Sequence, residues 1–311
     1  MKVLGALAAC VLLSAAFSCS GADSGAGRGV VFTVGSLGTS QGRFRQPRAI
    51  AVDPGGRFYV LDRTGRVQFF GPGGEFVTSW VLPEYEYGQP VGMAIESQGS
   101  VLVNDSHYQR ILRFSADGSF IASWGSPGTG PGQFTLGRDV VVDSSGNVYT
   151  GDYGDENDRI MKFSPTGEFI KEWGRRGTDP GRFDRPQGME IERREGDEYL
   201  LVADCNNHRI QRFDLEGRLD ATWGELGTEV GQLRYPMSVA VGSNGEIYVC
   251  EWGNNRIQKY DADGNSLGTW GRAGRREGEL MTPWDLEIGP DDTIYVVDYG
   301  NHRIQAFRWP S

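Results

Sequence analysis

Four carboxyl side chains stand at positions where the equivalent residues elsewhere in this chain are mostly small or apolar. They are Asp139, Glu190, Asp285 and Glu287. Neighbouring carboxylates repel one another unless a metal ion, a cationic ligand or a basic side chain compensates their charge. The four acids are therefore candidates for binding a divalent cation such as Ca²⁺, or a cationic group of a ligand. The alternative is that Arg48 and Arg138 neutralise them as ion pairs, and the sequence leaves both interpretations open.

An internal repeat makes these positions equivalent. Its six units begin 43 to 50 residues apart, at Pro47, Pro90, Gly137, Pro186, Pro236 and Pro283. Each unit has an apolar first strand such as residues 49–53, a Gly-centred turn, a second strand such as 58–62, a third such as 209–213 and a fourth that in most units ends in Trp-Gly. A sheet of four such strands buries both faces only against neighbours in a ring. The repeat therefore predicts an all-β, six-bladed β-propeller.

The two ends of the chain are complementary. The last unit stops after its third strand, at residues 308–311, while residues 30–35 (VVFTVG) have the pattern of an isolated fourth strand. Pairing the N-terminal strand into blade six would close the ring and remove two exposed sheet edges. The predicted propeller domain therefore spans residues 30–311.

A second recurring pattern follows the second strand of each unit: an acid, a short turn and an arginine. Two units spell it Asp204-Cys-Asn-Asn-His208-Arg209 and Asp298-Tyr-Gly-Asn-His302-Arg303. The pattern resembles that of the NHL repeat family, and the resemblance covers essentially all of residues 30–308. It implies a six-bladed propeller of NHL-type repeats, of the exported or lipoprotein kind found in bacteria.

The acid and the arginine recur in all six units, as Asp62/Arg66, Asp105/Arg110, Asp152/Arg159, Asp204/Arg209, Glu251/Arg256 and Asp298/Arg303. A feature of every blade is typical of blade construction rather than of one active site. We therefore interpret these residues as structural ion pairs that hold the turn, and leave the catalytic residues, if there are any, unassigned. The Trp of the fourth strand, as in Trp80 and Trp124, is interpreted in the same way as outer-strand packing.

In a propeller, the loop before strand one and the turn after strand two open on the same rim, around the channel where propellers generally bind ligands. We therefore predict that the four acids converge at one channel mouth. Four aromatic residues beside them complete the candidate site: Trp284, Trp252, Tyr153 and Tyr299.

The N-terminal segment predicts export. Lys2 and the apolar stretch that follows make residues 1–18 a secretory signal, since eleven apolar residues are too few to span a bilayer. Residues 16–19 resemble a lipobox, so Cys19 is a candidate for lipidation and residues 19–29 for a flexible tether. The alternative is simple cleavage. The expected location is the periplasm or a membrane anchored through the lipid alone.

Composition excludes some classes of function. The net charge of -10, with only short arginine pairs that are isolated and flanked by acids, argues against nucleic acid as a partner. Within residues 30–311 only Cys205 and Cys250 occur, too few for a disulfide framework. We expect both to be free, mostly buried thiols, because their offset on neighbouring blades makes a disulfide hard to form.

The resemblance also bears on activity. Amidating lyases with this repeat hold zinc through histidines just after the strand-one Pro, but the three histidines here, at 107, 208 and 302, lie in turns. Lyase activity is therefore not expected. Lactonase-like propellers use a carboxylate and amide metal site, so a metal-dependent hydrolase remains the alternative. Some relatives of this repeat are joined to RING domains, and others bind RNA through a basic face. Neither function is expected here, because the sequence has neither a RING nor such a face. The leading hypothesis is a binding or protein-interaction module at the cell envelope, with a protein, peptide or glycan ligand.

Overall fold

The computed structural model describes residues 29–86, 89–154 and 157–310. Within them the chain forms strands, turns and three short 3₁₀ helices, at Ser106–Tyr108, Cys205–Asn207 and Tyr299–Asn301. None of the helices described is long and apolar enough to cross a membrane. The predicted signal segment 1–18, Cys19 and most of the predicted tether lie outside the described residues.

Six four-stranded antiparallel sheets follow one another along the chain as the blades of a propeller. In each blade the first strand is innermost. Blade one contains β2 (Pro47–Val52), β3 (Phe58–Asp62), β4 (Arg66–Phe70) and β5 (Phe76–Val81). Blade two contains β6 (Gly92–Ile95), β7 (Val101–Asp105), β8 (Arg110–Phe114) and β9 (Phe120–Trp124). The two-residue strands β10 (Ser126–Pro127) and β11 (Gln133–Phe134) connect blades two and three.

The remaining blades repeat this order. Blade three contains β12 (Leu136–Val142), β13 (Val148–Tyr153), β14 (Arg159–Phe163) and β15 (Phe169–Trp173). Blade four contains β16 (Pro186–Arg194), β17 (Asp197–Asp204), β18 (Arg209–Asp214) and β19 (Leu219–Trp223). Blade five contains β20 (Pro236–Val241), β21 (Ile247–Glu251), β22 (Arg256–Tyr260) and β23 (Ser266–Trp270). Blade six contains β24 (Asp285–Ile288), β25 (Ile294–Asp298) and β26 (Arg303–Phe307), and its fourth strand is β1 (Val30–Val34).

The predicted ring closure is confirmed. β1 pairs antiparallel with β26, with Thr33 opposite Gln305 and Val34 opposite Ile304. A core between the last and first blades seals the junction, where the ring of Phe58 lies 6.0 Å from that of Phe32 and 5.2 Å from that of Tyr295. The closed ring leaves neither blade one nor blade six with an unpaired face.

Elsewhere the core is also divided among the blade interfaces, in clusters of buried apolar side chains. The fourth-strand tryptophans pack there. Trp80 of blade one lies against Gly118 of blade two, where a Cβ atom would come within 2.4 Å of the indole. Because Gly118 also has a φ of +88°, both its backbone conformation and its lack of a side chain are required.

Candidate functional site

The innermost strands surround a central channel with two unequal mouths. The narrow mouth lies where each second strand turns towards the third, and its cavity volume is about 20 Å³. The wide mouth lies at the hairpins between first and second strands, near Asp53 and Ser144, and has a volume of about 710 Å³. A middle section of about 140 Å³ lies between them. The wide mouth is therefore the side with room for a ligand.

Asp139 and Asp285 line the channel between the narrow mouth and the middle section. Each connects its own blade to the next one. Oδ2 of Asp139 accepts the backbone N–H of Met189 in blade four at 2.8 Å, and Oδ2 of Asp285 accepts that of Ile50 in blade one at 2.9 Å. These carboxyls satisfy inner-edge backbone donors that would otherwise face the channel.

The inner strands approach one another closely at this level. A Cβ atom on Gly92 of blade two would lie 2.6 Å from the Cα atom of Asp139, so only glycine fits there. Gly188 of blade four meets Ser238 of blade five in the same way, at 2.5 Å. This close approach explains why the channel is constricted towards the narrow mouth.

Glu190 and Glu287 lie further towards the wide mouth, in the middle section. Burial raises the pKa of Glu190 to about 8, and the nearby Arg193 opposes the shift. Burial raises the pKa of Glu287 well above its usual range, and repulsion from Glu190 and Asp285 adds to the effect. Both side chains lie deep in the molecule, yet each keeps some solvent-accessible surface because it faces the channel.

The two aspartates belong to the same electrostatic group. Burial raises the pKa of Asp285 to about 6, with a hydrogen bond to Ser238 opposing the change. Burial, followed by repulsion from Asp285, raises the pKa of Asp139 well above its usual range. The four carboxyls therefore share protons near neutral pH and titrate as a group.

Arg48 and Arg138 do not neutralise these acids, which corrects the ion-pair alternative. Arg48 donates from Nη2 to Oε1 of Gln89 at 2.6 Å and lies over the ring of Trp284. Arg138 donates to the hydroxyl of Tyr153 and lies over that ring, 4.5 Å from its centroid. Across residues 29–86, 89–154 and 157–310, neither guanidinium comes within 4.0 Å of a carboxylate. These two arginines therefore do not compensate the charge of the four acids by direct ion pairs.

The eight predicted site residues do not form one site. The acids line the channel, whereas Trp284, Tyr153 and Tyr299 surround the narrow mouth, where Trp284 stacks on Tyr299 with their ring centroids 4.9 Å apart. Trp252 lies outside the channel lining and contacts Tyr235 edge to face. The predicted convergence of the four acids at one mouth is therefore corrected: the acids line one channel at different depths, and Glu190 and Glu287 lie deeper than the mouth that the aromatic residues surround.

The hypothesis of a divalent cation gains no support from the geometry. In the described part of the chain, no three His, Cys, Asp or Glu side chains approach closely enough to hold a metal ion. Three of the four acids, Asp139, Asp285 and Glu287, already accept backbone N–H groups. The arrangement therefore suits a cationic organic group better than a bare metal ion, which needs six or more oxygen ligands when it is Ca²⁺.

The recurring acids and arginines lie within ion-pair distance in all six blades. The distances are 3.1 Å for Asp62–Arg66, 3.1 Å for Asp105–Arg110, 3.5 Å for Asp152–Arg159, 2.8 Å for Asp204–Arg209, 2.5 Å for Glu251–Arg256 and 2.7 Å for Asp298–Arg303. In blade four, Arg209 also donates to the carbonyls of Thr178 and Arg182, in the loop that enters the blade. The pairs therefore hold the turn and the entry loop together.

The histidines have a structural use that sequence reasoning missed. Nδ1 of His208 accepts the backbone N–H of Tyr235 in the next blade at 3.1 Å. The sequence did contain a signal for this role. In each case the N–H that the histidine accepts belongs to the residue just before the start of a repeat unit, as Tyr235 precedes Pro236. These histidines are therefore not free to bind a metal through Nδ1 while the bond persists.

Cys205 and Cys250 are free and buried thiols, as expected. Burial raises the pKa of the Cys205 thiol to about 12, and its Sγ lies 3.8 Å from the sulfur of Met237. Neither thiol is set up as a nucleophile, because reactivity requires a lowered pKa and exposure.

Comparison with known proteins agrees with the repeat assignment. Residues 233–260 and 280–307, which form most of blades five and six, match the NHL repeat. No curated protein matches the sequence.

Solved structures resemble the whole domain. A streptogramin B lyase is 15% identical with a TM-score of 0.62, over 88% of this chain and 96% of that one. A gluconolactonase from Xanthomonas campestris is 14% identical with a TM-score of 0.63, over 86% and 88%. A protein of unknown function from Bacteroides thetaiotaomicron is 17% identical with a TM-score of 0.68, over 88% and 72%. At these identities the likeness concerns the fold alone.

Proposed function

For this six-bladed β-propeller of NHL repeats, we propose a binding function in which the channel receives a cationic group of a ligand through the wide mouth. The group is held by Glu190 and Glu287 in the middle section. The observation that carries the proposal is this pair of carboxyls, deep in the molecule but open to solvent, with too little positive charge beside it.

The positive charge near the two glutamates is already partly paired with another acid. Arg193 lies at the junction of the middle section and the wide mouth, but its Nε atom forms an ion pair with Glu198 at 3.0 Å. Glu287 has no basic side chain among the groups that shift its pKa. A cation between the two glutamates would lower both pKa values and replace the protons that they hold near neutral pH.

The dimensions restrict the cationic group. A middle section of about 140 Å³ accommodates an alkylammonium or guanidinium end rather than a complete metabolite. The cavity of about 710 Å³ at the wide mouth would hold the remainder of the ligand. Lysine or arginine side chains of a protein or peptide, and amino sugars of a glycan, carry such groups.

The proposed setting is the bacterial cell envelope. The signal-like residues 1–18 and the lipobox-like sequence at Cys19 support export, with membrane contact through the lipid alone. The net charge of -10 supports a cationic partner and disfavours nucleic acid.

Titration of the protein with n-butylammonium by calorimetry tests the proposal, with n-butanol as the uncharged ligand of similar size. We expect butylammonium to bind, more tightly at pH 9 than at pH 6, since its own pKa is close to the lysine value of about 10.4 while the channel carboxyls lose protons over this interval. The double variant Glu190→Gln/Glu287→Gln should lose this binding, whereas Glu195→Gln, an exposed residue, should retain it. Equal binding of butanol, or unchanged binding by the double variant, would overturn the proposal.

A second candidate function is acid–base catalysis. Its basis is the pKa of Glu190, which at about 8 lies near the operating pH expected for a general acid or base. The lactonase-like alternative remains of interest because a gluconolactonase shares the fold. Hydrolysis of glucono-δ-lactone by the wild type, compared with Glu190→Gln, tests it: a rate no higher than the uncatalysed one excludes hydrolysis of this lactone.

A further inference from the structure

We propose that the narrow mouth is a separate site for a carboxylate group of a ligand, built from Arg48 and Arg138. It lies at the opposite end of the channel from the wide mouth and uses none of the glutamates of the proposed cation site. The two sites can therefore be tested independently.

The first observation is that both guanidinium groups are paired with neutral partners. Arg48 bonds to Gln89 and interacts with the hydroxyl of Tyr299, and Arg138 bonds to Tyr153. Neither has a carboxylate within 4.0 Å in the described residues. Amide and phenol oxygens accept a hydrogen bond but do not cancel a positive charge, so neither buried cation has a counter-ion among the residues that the structure describes.

The second observation is a set of unused donors. In the described structure, the Nε atoms of Arg48, Arg138 and Arg185 and the Nε2 atom of Gln187 are buried without a hydrogen-bond partner. Arg48, Arg138 and Gln187 are only 8%, 9% and 4% exposed. A buried donor without a partner destabilises the folded protein, and more so when it is charged. An acceptor with several lone pairs at this point would satisfy donors from three neighbouring side chains.

Like charges at the mouth reinforce the need for an anion. Burial lowers the pKa of Arg138, and repulsion from Arg185 and Arg48 adds to the effect. Burial, with repulsion from Arg63, lowers the pKa of Arg48 in the same way. A bound anion would relieve both the repulsion and the desolvation.

The shape of the mouth selects the kind of anion. Its volume of about 20 Å³ holds one small group. The stacked rings of Trp284 and Tyr299 form one side, and the ring of Tyr153 lies under Arg138. A carboxylate is flat and accepts two parallel N–H bonds from a guanidinium, which suits a narrow slot better than a tetrahedral phosphate.

The floor of the mouth limits how far the carboxylate enters. Asp139 and Asp285 lie below, with oxygens directed to backbone N–H groups of Val140 and Met189, and of Leu286 and Ile50. The ligand carboxylate therefore stays at the level of the arginines. Two sources present such a group at the end of a chain, the C-terminus of a peptide and the acid group of a uronic sugar.

Titration with N-acetyl-diglycine and with glucuronate tests the site, and the corresponding amides are the uncharged controls. We expect at least one carboxylate to bind and its amide to bind at least about tenfold more weakly, since charge-assisted bonds are roughly twice as strong as neutral ones. Arg48→Gln and Arg138→Gln should each weaken binding about tenfold or more. Arg218→Gln, whose side chain is 83% exposed in an outer turn, is the matched control and should bind normally.

Folding does not obscure this test. Each glutamine variant removes a buried charge that has no counter-ion among the described residues, so its melting temperature should be equal to or above that of the wild type. The peptide and the sugar acid distinguish the two sources. The double variant Glu190→Gln/Glu287→Gln should bind the carboxylate as the wild type does, which separates this site from the cation site. Absence of carboxylate binding, equal binding of the amides, or tighter binding of inorganic phosphate would overturn the proposal.

Discussion

Nδ1 of His302, in blade six, accepts a hydrogen bond from the backbone N–H of Gln46, at the entry to blade one, with a distance of 3.0 Å. The bond joins the two ends of the ring on the face of the narrow mouth. Oδ1 of Asn255 makes the equivalent bond to Thr282 in the next blade at 2.7 Å. The residue just before the recurring arginine, His302 in one blade and Asn255 in another, is therefore an acceptor that connects one blade to the next.

Replacing His302 with Ala should lower the free energy of unfolding by about 1 kcal/mol, the usual net value of one hydrogen bond, or more if the N–H of Gln46 stays buried without a partner. His302→Asn should recover most of the loss, because Asn255 serves the same purpose in blade five. Urea unfolding followed by tryptophan fluorescence measures both variants. Equal stability of the Ala variant and the wild type would show that the bond does not hold the ring.

The histidine bonds predict a contribution to stability that is lost in mild acid. Burial, with repulsion from Arg234 and Arg45 respectively, lowers the pKa of His208 and His302 below the ordinary 6.5. The unfolded chain then binds more protons than the folded one, so this contribution is complete above about pH 6.5 and is lost as pH falls towards the folded pKa. Melting temperatures between pH 7.5 and about pH 5 check this. As pH falls over this range, the wild type should lose stability relative to the double variant His208→Asn/His302→Asn, and a constant difference between the two melting temperatures would contradict the assignment.

Glu190→Gln and Glu287→Gln should stabilise the protein without ligand. The folded pKa of each is raised, to about 8 for Glu190, so their favourable contribution is present below the unfolded value of 4.5 and is lost as pH rises through the folded value. A tenfold change in an acid dissociation constant corresponds to about 1.4 kcal/mol, so the gain at pH 8 should be at least about 1 kcal/mol. Calorimetric melting at pH 5 and pH 8 measures it. Glu195→Gln is the exposed control, and a destabilised double variant would reveal a partner for the glutamates.

Deleting residues 30–34 should destabilise all six blades together. Blade six would lose its fourth strand and β26 would become an exposed edge, while Phe32 would leave the core between blades six and one. We expect a single melting transition at lower temperature. A chain lacking residues 20–28 instead is the control and should melt as the wild type does. An unchanged melting temperature after the first deletion would disprove closure through β1.

Replacing Asp204 with Ala should cost about 3–5 kcal/mol, the range for removing one partner of a buried pair. This fully buried carboxylate accepts side-chain bonds from Asn207, Arg209 and Gln211, at 2.8–3.0 Å. Its loss leaves the charge of Arg209 without compensation. Denaturant unfolding of Asp204→Ala measures the effect, and Asp214→Ala in the outer turn is the comparison. If Asp204→Ala lowered the free energy of unfolding by less than about 1 kcal/mol, these pairs would contribute no more than surface salt bridges do.

Blade number, ring closure and the ion pairs could be predicted from the sequence by itself. Each depends largely on local information that recurs along the chain: alternation along a strand, a short turn, and an acid and an arginine on adjacent strands, directly opposite each other in the case of Asp204 and Arg209. Adjacent strands of one blade are joined by short turns, so their register follows from the chain.

The arrangement inside the channel was decided by the tertiary structure alone. The hydrogen bond from Met189 to Asp139 joins residues 50 positions apart, and that from Ile50 to Asp285 joins residues 235 apart. Sequence position does not determine which mouth is wide, at what depth an acid lies or whether Arg138 turns to Asp139 or to Tyr153. Those outcomes depend on the distance between blades, which glycines such as Gly92 and Gly188 set to within a few ångströms. They also depend on which of several possible partners each side-chain rotamer allows a residue to reach. Neither the distance between blades nor the rotamer is the same from blade to blade.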